Sequence, residues 1–193
     1  MRDMNFLRRK FTRGSGGDFM KIFIVAGKAR HGKDTVASMI RDIYSDKKCI
    51  NLSYGSYIKD YAMKISDWDG LEETKPRELL QHLGTEVIRN NIDEEFFIKR
   101  LCDDIKVYSY YFDVATISDA RFPEEIDIPR DMFSDVFVIK VVRENFESNL
   151  TEEQKKHRTE TALDDYDNYD YVIYNDGSLE DLEEKVKKMV SIV

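Results

Sequence analysis

The stretch Gly27-Lys28-Ala29-Arg30-His31-Gly32-Lys33-Asp34-Thr35 constrains this chain more than any other. It reads GxxxxGK followed by Asp-Thr, and its flanks decide its meaning. Before it, Met20 to Ala26 (MKIFIVA) is an unbroken apolar run rich in Ile and Val, the pattern of a central strand buried on both faces. After it, Thr35 to Tyr44 (TVASMIRDIY) sets Val36, Ala37, Ile40 and Ile43/Tyr44 at helical spacing. A buried strand, a glycine-rich turn and a helix, in that order, are the context a phosphate-binding loop requires.

The chemistry of such a loop follows from its backbone. Gly27 and Gly32 allow a tight fold, so that the amides of Ala29, Arg30, His31 and Gly32 turn inward. The helix start adds positive potential. Lys33 brings a full charge to the outer phosphates, and Thr35 offers a hydroxyl to Mg²⁺. Asp34 stands where the usual pattern has Ser or Thr. A carboxylate beside phosphates repels them unless a cation intervenes, so Asp34 either helps hold hydrated Mg²⁺ or points away. Arg30 and His31 either touch phosphate or lie at the mouth. The expected ligands are ATP and Mg²⁺.

The rest of the chain fits one α/β domain. Further strands are expected at Cys49 to Leu52, Asp113 to Ser118, Val136 to Val142 and Tyr171 to Tyr174. Helices are expected at Tyr57 to Ile65, Pro76 to Arg89, Phe96 to Val107 and Leu179 to Val190, the last capped by Ser178. Strands alternating with helices imply a parallel sheet covered on both faces. Residues 1–19 differ in character: five basic residues and a Gly-Ser-Gly-Gly run suggest a flexible leader or tag, with the folded domain at 20–193.

Composition narrows the partners. The formal net charge of -8 argues against a protein that coats a nucleic acid polymer, while leaving room for a locally basic pocket. No apolar run is long enough to cross a bilayer, and no signal-peptide segment follows the basic N-terminus, so a cytoplasmic protein without a membrane partner is expected. Cys49 and Cys102, far apart and without CxxC spacing, read as reduced thiols.

Two more constellations carry chemistry. In Gln81-His82-Leu83-Gly84-Thr85-Glu86-Val87-Ile88-Arg89, a helix would set Gln81, Thr85 and Arg89 on one face, suited to gripping an anionic acceptor. The bland reading is a solvated polar face. Ser118-Asp119-Ala120-Arg121-Phe122-Pro123 follows a buried strand, at the edge where open α/β sheets bind ligands. Asp119 can orient Mg²⁺ or accept a proton, and Arg121 can neutralise the moving phosphoryl charge. The bland reading is a structural Asp–Arg pair.

GKARHGKDTVA, LSYGSYIKDYA, QHLGTEVIRNNIDEEFFIKRL, ISDARFPEEID, HRTETALDDY and YVIYNDGSLEDLEEKV occur in that order. Together they resemble the deoxynucleoside monophosphate kinase family of phages and bacteria and, more distantly, animal-type phosphomevalonate kinase. The resemblance covers about Met20 to near the C-terminus. It implies a three-layer P-loop fold with a five-stranded parallel sheet, of the nucleoside monophosphate kinase-like type. It also implies that Lys33 and the loop amides hold ATP, that Gln81 and Arg89 bind the acceptor, and that Asp119 and Arg121 serve the transfer. A polar lid is expected at about 143–160, with Arg143 and Arg158 as its phosphate ligands. His157 and Glu160 match the family's His–x–Ser/Thr–Glu pattern, and their role is left open. Asn175 and Gly177 fall where related kinases hold the ATP base.

The leading expectation is transfer from ATP to a (deoxy)nucleoside monophosphate. Phosphomevalonate or another small phosphorylated acceptor is the alternative within the same chemistry. A non-catalytic nucleotide-dependent switch is the alternative outside it. The base, the sugar and the oligomeric state, a homodimer included, stay open.

Overall fold

The computed structural model describes residues 20–144 and 158–193. The expected leader at 1–19, His157 and most of the expected lid lie outside the described residues. Five strands form one parallel sheet: β1 (Lys21–Ala26), β2 (Cys49–Leu52), β3 (Val114–Ile117), β4 (Val136–Val142) and β5 (Tyr171–Tyr174), in the order β2-β3-β1-β4-β5. The helices are α1 (Lys33–Ile43), α2 (Tyr54–Ile65), α3 (Arg77–Gln81), which continues as a π-helix (His82–Arg89), α4 (Phe96–Tyr108), α5 (Glu124–Met132), the turn α6 (Arg158–Thr161) and α7 (Leu179–Val190).

β1 lies at the centre because both its faces are apolar. Alternate side chains of a strand point to opposite faces. Ile22, Ile24 and Ala26 join the core that α4 and α5 cover, with Phe97, Ile98, Leu101, Ile105 and Ile126. Phe23 and Val25 join the opposite core, under α1 and α7, with Val36, Ala37, Ile40, Leu182 and Val186. The result is three layers, as the alternation of strands and helices implies. Ser178 caps α7 as expected, and the structure adds a capping box: Asp181 N–H donates to Ser178 Oγ, and Ser178 N–H donates to the Asp181 carboxylate. Cys49 and Cys102 are both free, and burial pushes the Cys102 thiol up to about 12.

Two elements depart from the sequence reading. The expected helix Pro76 to Arg89 is short α-helix and then π-helix. Wider winding breaks the four-residue spacing that would align Gln81, Thr85 and Arg89. It also seats Gly84 against α2, where an added Cβ would meet Ile58 Cδ1 at 3.0 Å. The second element, α5, was not expected at all. Pro129 sits inside it. Proline has no N–H, so the carbonyl four residues earlier, that of Glu125, loses its helical partner. The buried Tyr54 hydroxyl replaces it, donating to Glu125 O at 2.6 Å. A helix that reads as broken in sequence is thus completed by a side chain 71 positions away.

Candidate active site

The phosphate loop leaves β1 at Ala26 and enters α1 at Lys33, at the carboxyl edge of the sheet. Its shape requires its glycines. Gly27 has φ +146°, and a Cβ there would come within 2.4 Å of Val141 O. Gly32 has φ +99°, and a Cβ there would strike the Asn175 side chain at 2.5 Å. Arg30 also takes a left-handed conformation, with φ 63°. Asn175 follows β5, and its side-chain amide donates to His31 O at 2.9 Å, bracing the loop from the edge strand beyond β4. Gly177 leaves room for the Asp181 carboxylate of the capping box, which a Cβ would meet at 2.5 Å. The residues expected beside the ATP base therefore shape the loop and the start of α7.

Lys33 is 7% exposed, and its ammonium donates to Lys28 O at 2.9 Å. Burial first, then the nearby Arg121 guanidinium, lowers its pKa to about 8. Two cations thus converge beside the loop. Burial also lowers the pKa of His31, helped by Lys33, Lys28 and Arg143. Its Nδ1 lies 3.2 Å from Arg143 N and 3.4 Å from Val141 O. The neutral ring accepts the closer amide at Nδ1, which ties the loop to the end of β4.

Asp34 and Thr35 are exposed in the first turn of α1. Asp34 accepts a 2.6 Å hydrogen bond from Ser118 Oγ at the end of β3. Asp119, next along, accepts from Ser53 Oγ at 2.7 Å, Gly55 N at 2.8 Å and Tyr54 N at 3.1 Å. Its carboxylate therefore caps the start of α2, and any part in holding a metal or a proton is shared with those three donors. Asp34, Ser53, Gly55, Ser118 and Asp119 line one cleft of about 680 Å³ with Tyr57 and Asp104. Among the described residues there is no cluster of three or more His, Cys, Asp or Glu that could hold a metal ion alone.

The arginines converge on Phe122. The Arg89 guanidinium lies 4.3 Å from the Phe122 ring centre and that of Arg158 lies 5.2 Å from it. Arg158 also pairs with Glu94 at 3.5 Å. Arg89 forms an ion pair with Glu125, a carboxylate 2% exposed. Glu125 also accepts from Arg121 N at 2.6 Å and Phe122 N at 3.3 Å. Burial pushes the Glu125 pKa up, against the opposing pull of the Arg121 amide and Arg89. Arg121 reaches instead to Glu160, with Nη1 to Oε1 at 2.8 Å. Glu160 Oε2 in turn accepts the Ala29 amide at 3.1 Å. Gln81 is exposed in the turn before the π-helix, and Arg143 is exposed just after β4.

Glu125, Phe122 and Tyr54 are the residues that sequence reading missed. Pro123 followed by Glu124 and Glu125 is a helix-start signal. Pro129 obscured it.

Four likenesses bear on this arrangement. The family model described as deoxynucleotide monophosphate kinase matches residues 45–186. The deoxynucleotide monophosphate kinase of Enterobacteria phage T4 is 32% identical over 164 residues, covering 84% of this chain and 63% of that protein. That of Escherichia phage RB69 is 36% identical over 115 residues, covering 59% of this chain and 44% of that protein. The chain thus spans less than two thirds of either relative's length. Among solved structures, dephospho-CoA kinase from Campylobacter jejuni superposes with a TM-score of 0.52 at 15% identity, over 89% of this chain and 96% of that one. Identity that low speaks for the fold alone, and the fold agrees with the three-layer sheet described above. With the family match spanning most of the described residues, this chain belongs to the deoxynucleotide monophosphate kinase family.

Proposed function

We propose that this protein transfers the γ-phosphoryl group of ATP to a deoxynucleoside monophosphate, releasing the diphosphate and ADP. The observation that carries the reading is the placement of Arg121. It follows β3 at the sheet edge, close enough to depress the Lys33 pKa, and adjoins the Arg89–Phe122–Arg158 cluster. A cation between a polyphosphate loop and a second cationic pocket suits in-line transfer between two phosphates.

In this reading the loop amides and Lys33 hold the outer phosphates of ATP. Arg89 and Arg158 bind the acceptor phosphate, and Arg121 faces the group in transit. The acceptor is already ionised, so no strong base is needed, consistent with an Asp119 committed to capping α2. Asp34 and Thr35 suit Mg²⁺, which usually takes one or two protein oxygens and completes its shell with water and phosphate. Bound there, the ion supplies neutralising charge. Among the described residues no helix is long and apolar enough to cross a membrane, in keeping with a cytoplasmic enzyme acting on small molecules.

The test is ADP formation across the nucleoside monophosphates, ribo and deoxy, with phosphomevalonate included. ADP release dependent on a deoxynucleoside monophosphate supports the reading. Dependence on phosphomevalonate alone reassigns the acceptor, and slow acceptor-independent release points to a switch.

A further inference from the structure

Glu160 sits where an anionic ligand belongs. One carboxylate oxygen accepts the loop amide of Ala29 at 3.1 Å, and the other accepts the Arg121 guanidinium at 2.8 Å. Its side chain is 14% exposed. Four residues on, Asp164 pairs with Lys28 of the loop at 2.8 Å. The segment 158–164 therefore lays two carboxylates on the phosphate loop. Lys33 is meanwhile turned onto the loop's own Lys28 carbonyl. An inward loop amide and an arginine are the donors that a phosphate oxygen takes. Both are held here by an acidic side chain of the same chain.

We infer that Glu160 is a resident anion of the donor site, which a polyphosphate must displace before it can bind. This rests on the reading that the loop holds the phosphates of ATP. Ala29 N–H has one proton to donate, and it cannot serve Glu160 and a phosphate together. Displacement also frees the Arg121 guanidinium to face the transferred group. Binding of the donor and release of the transfer arginine are then one event. A site in which Glu160 is seated is closed to ligand, and apparent affinity falls by the fraction of molecules in that state. The carboxylate also neutralises Arg121 beside the Lys33 ammonium, which would otherwise repel it.

The experiment compares wild type, Glu160→Gln and Glu160→Ala by calorimetry, with inorganic tripolyphosphate and with ATP as probes. Both variants are expected to bind each probe about ten- to a hundredfold more tightly, the range for removing a competing charged hydrogen bond. Glutamine keeps the shape and removes the charge, so a gain in both variants points to competition rather than to a loosened fold. Hydrogen exchange supplies a second measure: in wild type, tripolyphosphate should speed exchange across 158–164, against the usual protection by a ligand. Equal or weaker binding by both variants, or slower exchange in that segment, overturns the inference. If neither probe binds any of these proteins, or if Lys33→Ala binds them as wild type does, the donor-site reading itself falls, and the inference falls with it.

Discussion

The proposed donor and acceptor sides of this site are built in opposite ways. The phosphate loop is a backbone device. Nine consecutive residues supply its amides, its two shaping glycines and its lysine, and the Asn175 amide and the Arg143 N–H brace that shape from outside. The arginine cluster is a side-chain device. Arg89 comes from the π-helix, Arg121 and Phe122 from the turn after β3, Glu125 from α5 and Arg158 from α6. A backbone site needs its local conformation and a few braces. A side-chain site needs every contributing element to be packed before it exists, and it places a buried carboxylate under a cation to aim it.

The contrast can be broken most sharply at Lys33. Lys33→Met should cut turnover on the order of a thousandfold, as when one positioned cation is removed from a transfer site. It should not lower the melting temperature. The folded-state pKa of about 8 lies below the ordinary 10.5 for lysine, so the folded protein bears the cost of a buried charge below about pH 8. That cost is relieved as the pH rises from about 8 to 10.5, where the unfolded chain still holds the proton. The stability advantage of Lys33→Met should therefore shrink over that window. A variant that melts well below wild type at pH 7 would show that Lys33 supports the fold.

Arg89 should behave differently. Arg89→Ala should raise the acceptor KM by about thirtyfold to several thousandfold and leave ATP affinity unchanged, since about 2–5 kcal/mol goes with such a contact in a closed site. It should also destabilise the protein, on the order of 3 kcal/mol, by leaving Glu125 buried without its cation. Glu125 already titrates above the ordinary carboxylate range, and losing Arg89 raises it further. A raised carboxylate costs stability as the pH climbs through the window between its unfolded and folded pKa. The defect should therefore be largest near neutrality and shrink on acidification. Adding Glu125→Gln to Arg89→Ala should restore melting and leave the acceptor KM high. Recovery of both, or of neither, would mean that the pair is not the aiming device described here.

Smaller effects test the supports. Tyr54→Phe strands the Glu125 carbonyl that Pro129 leaves open, and should cost about 1–2 kcal/mol in chemical denaturation with turnover nearly intact. Asn175→Ala removes one brace from the loop and should weaken ATP binding several-fold, about 1 kcal/mol, with no change in acceptor KM at saturating ATP. A loss confined to the acceptor side would place Asn175 outside the donor device.

The sequence by itself determined the parts that depend on near neighbours. The five strands fall where the apolar runs lie, the phosphate loop folds where its glycines permit, and Ser178 caps α7 as expected. Such choices rest on backbone geometry, side-chain periodicity and hydrogen bonds across a few residues, all of which are legible in one stretch of chain. Only the tertiary structure decided which groups meet. It set β1 between β3 and β4, and so brought Asp34 against Ser118, 84 positions apart. It turned Asp119 onto the start of α2, completed α5 around Pro129 with a tyrosine from α2, and laid Glu160 on an amide 131 positions away. For the last three, burial is the reason. A carboxylate or carbonyl withdrawn from water must find a donor wherever packing provides one, and no local pattern records which distant donor that will be.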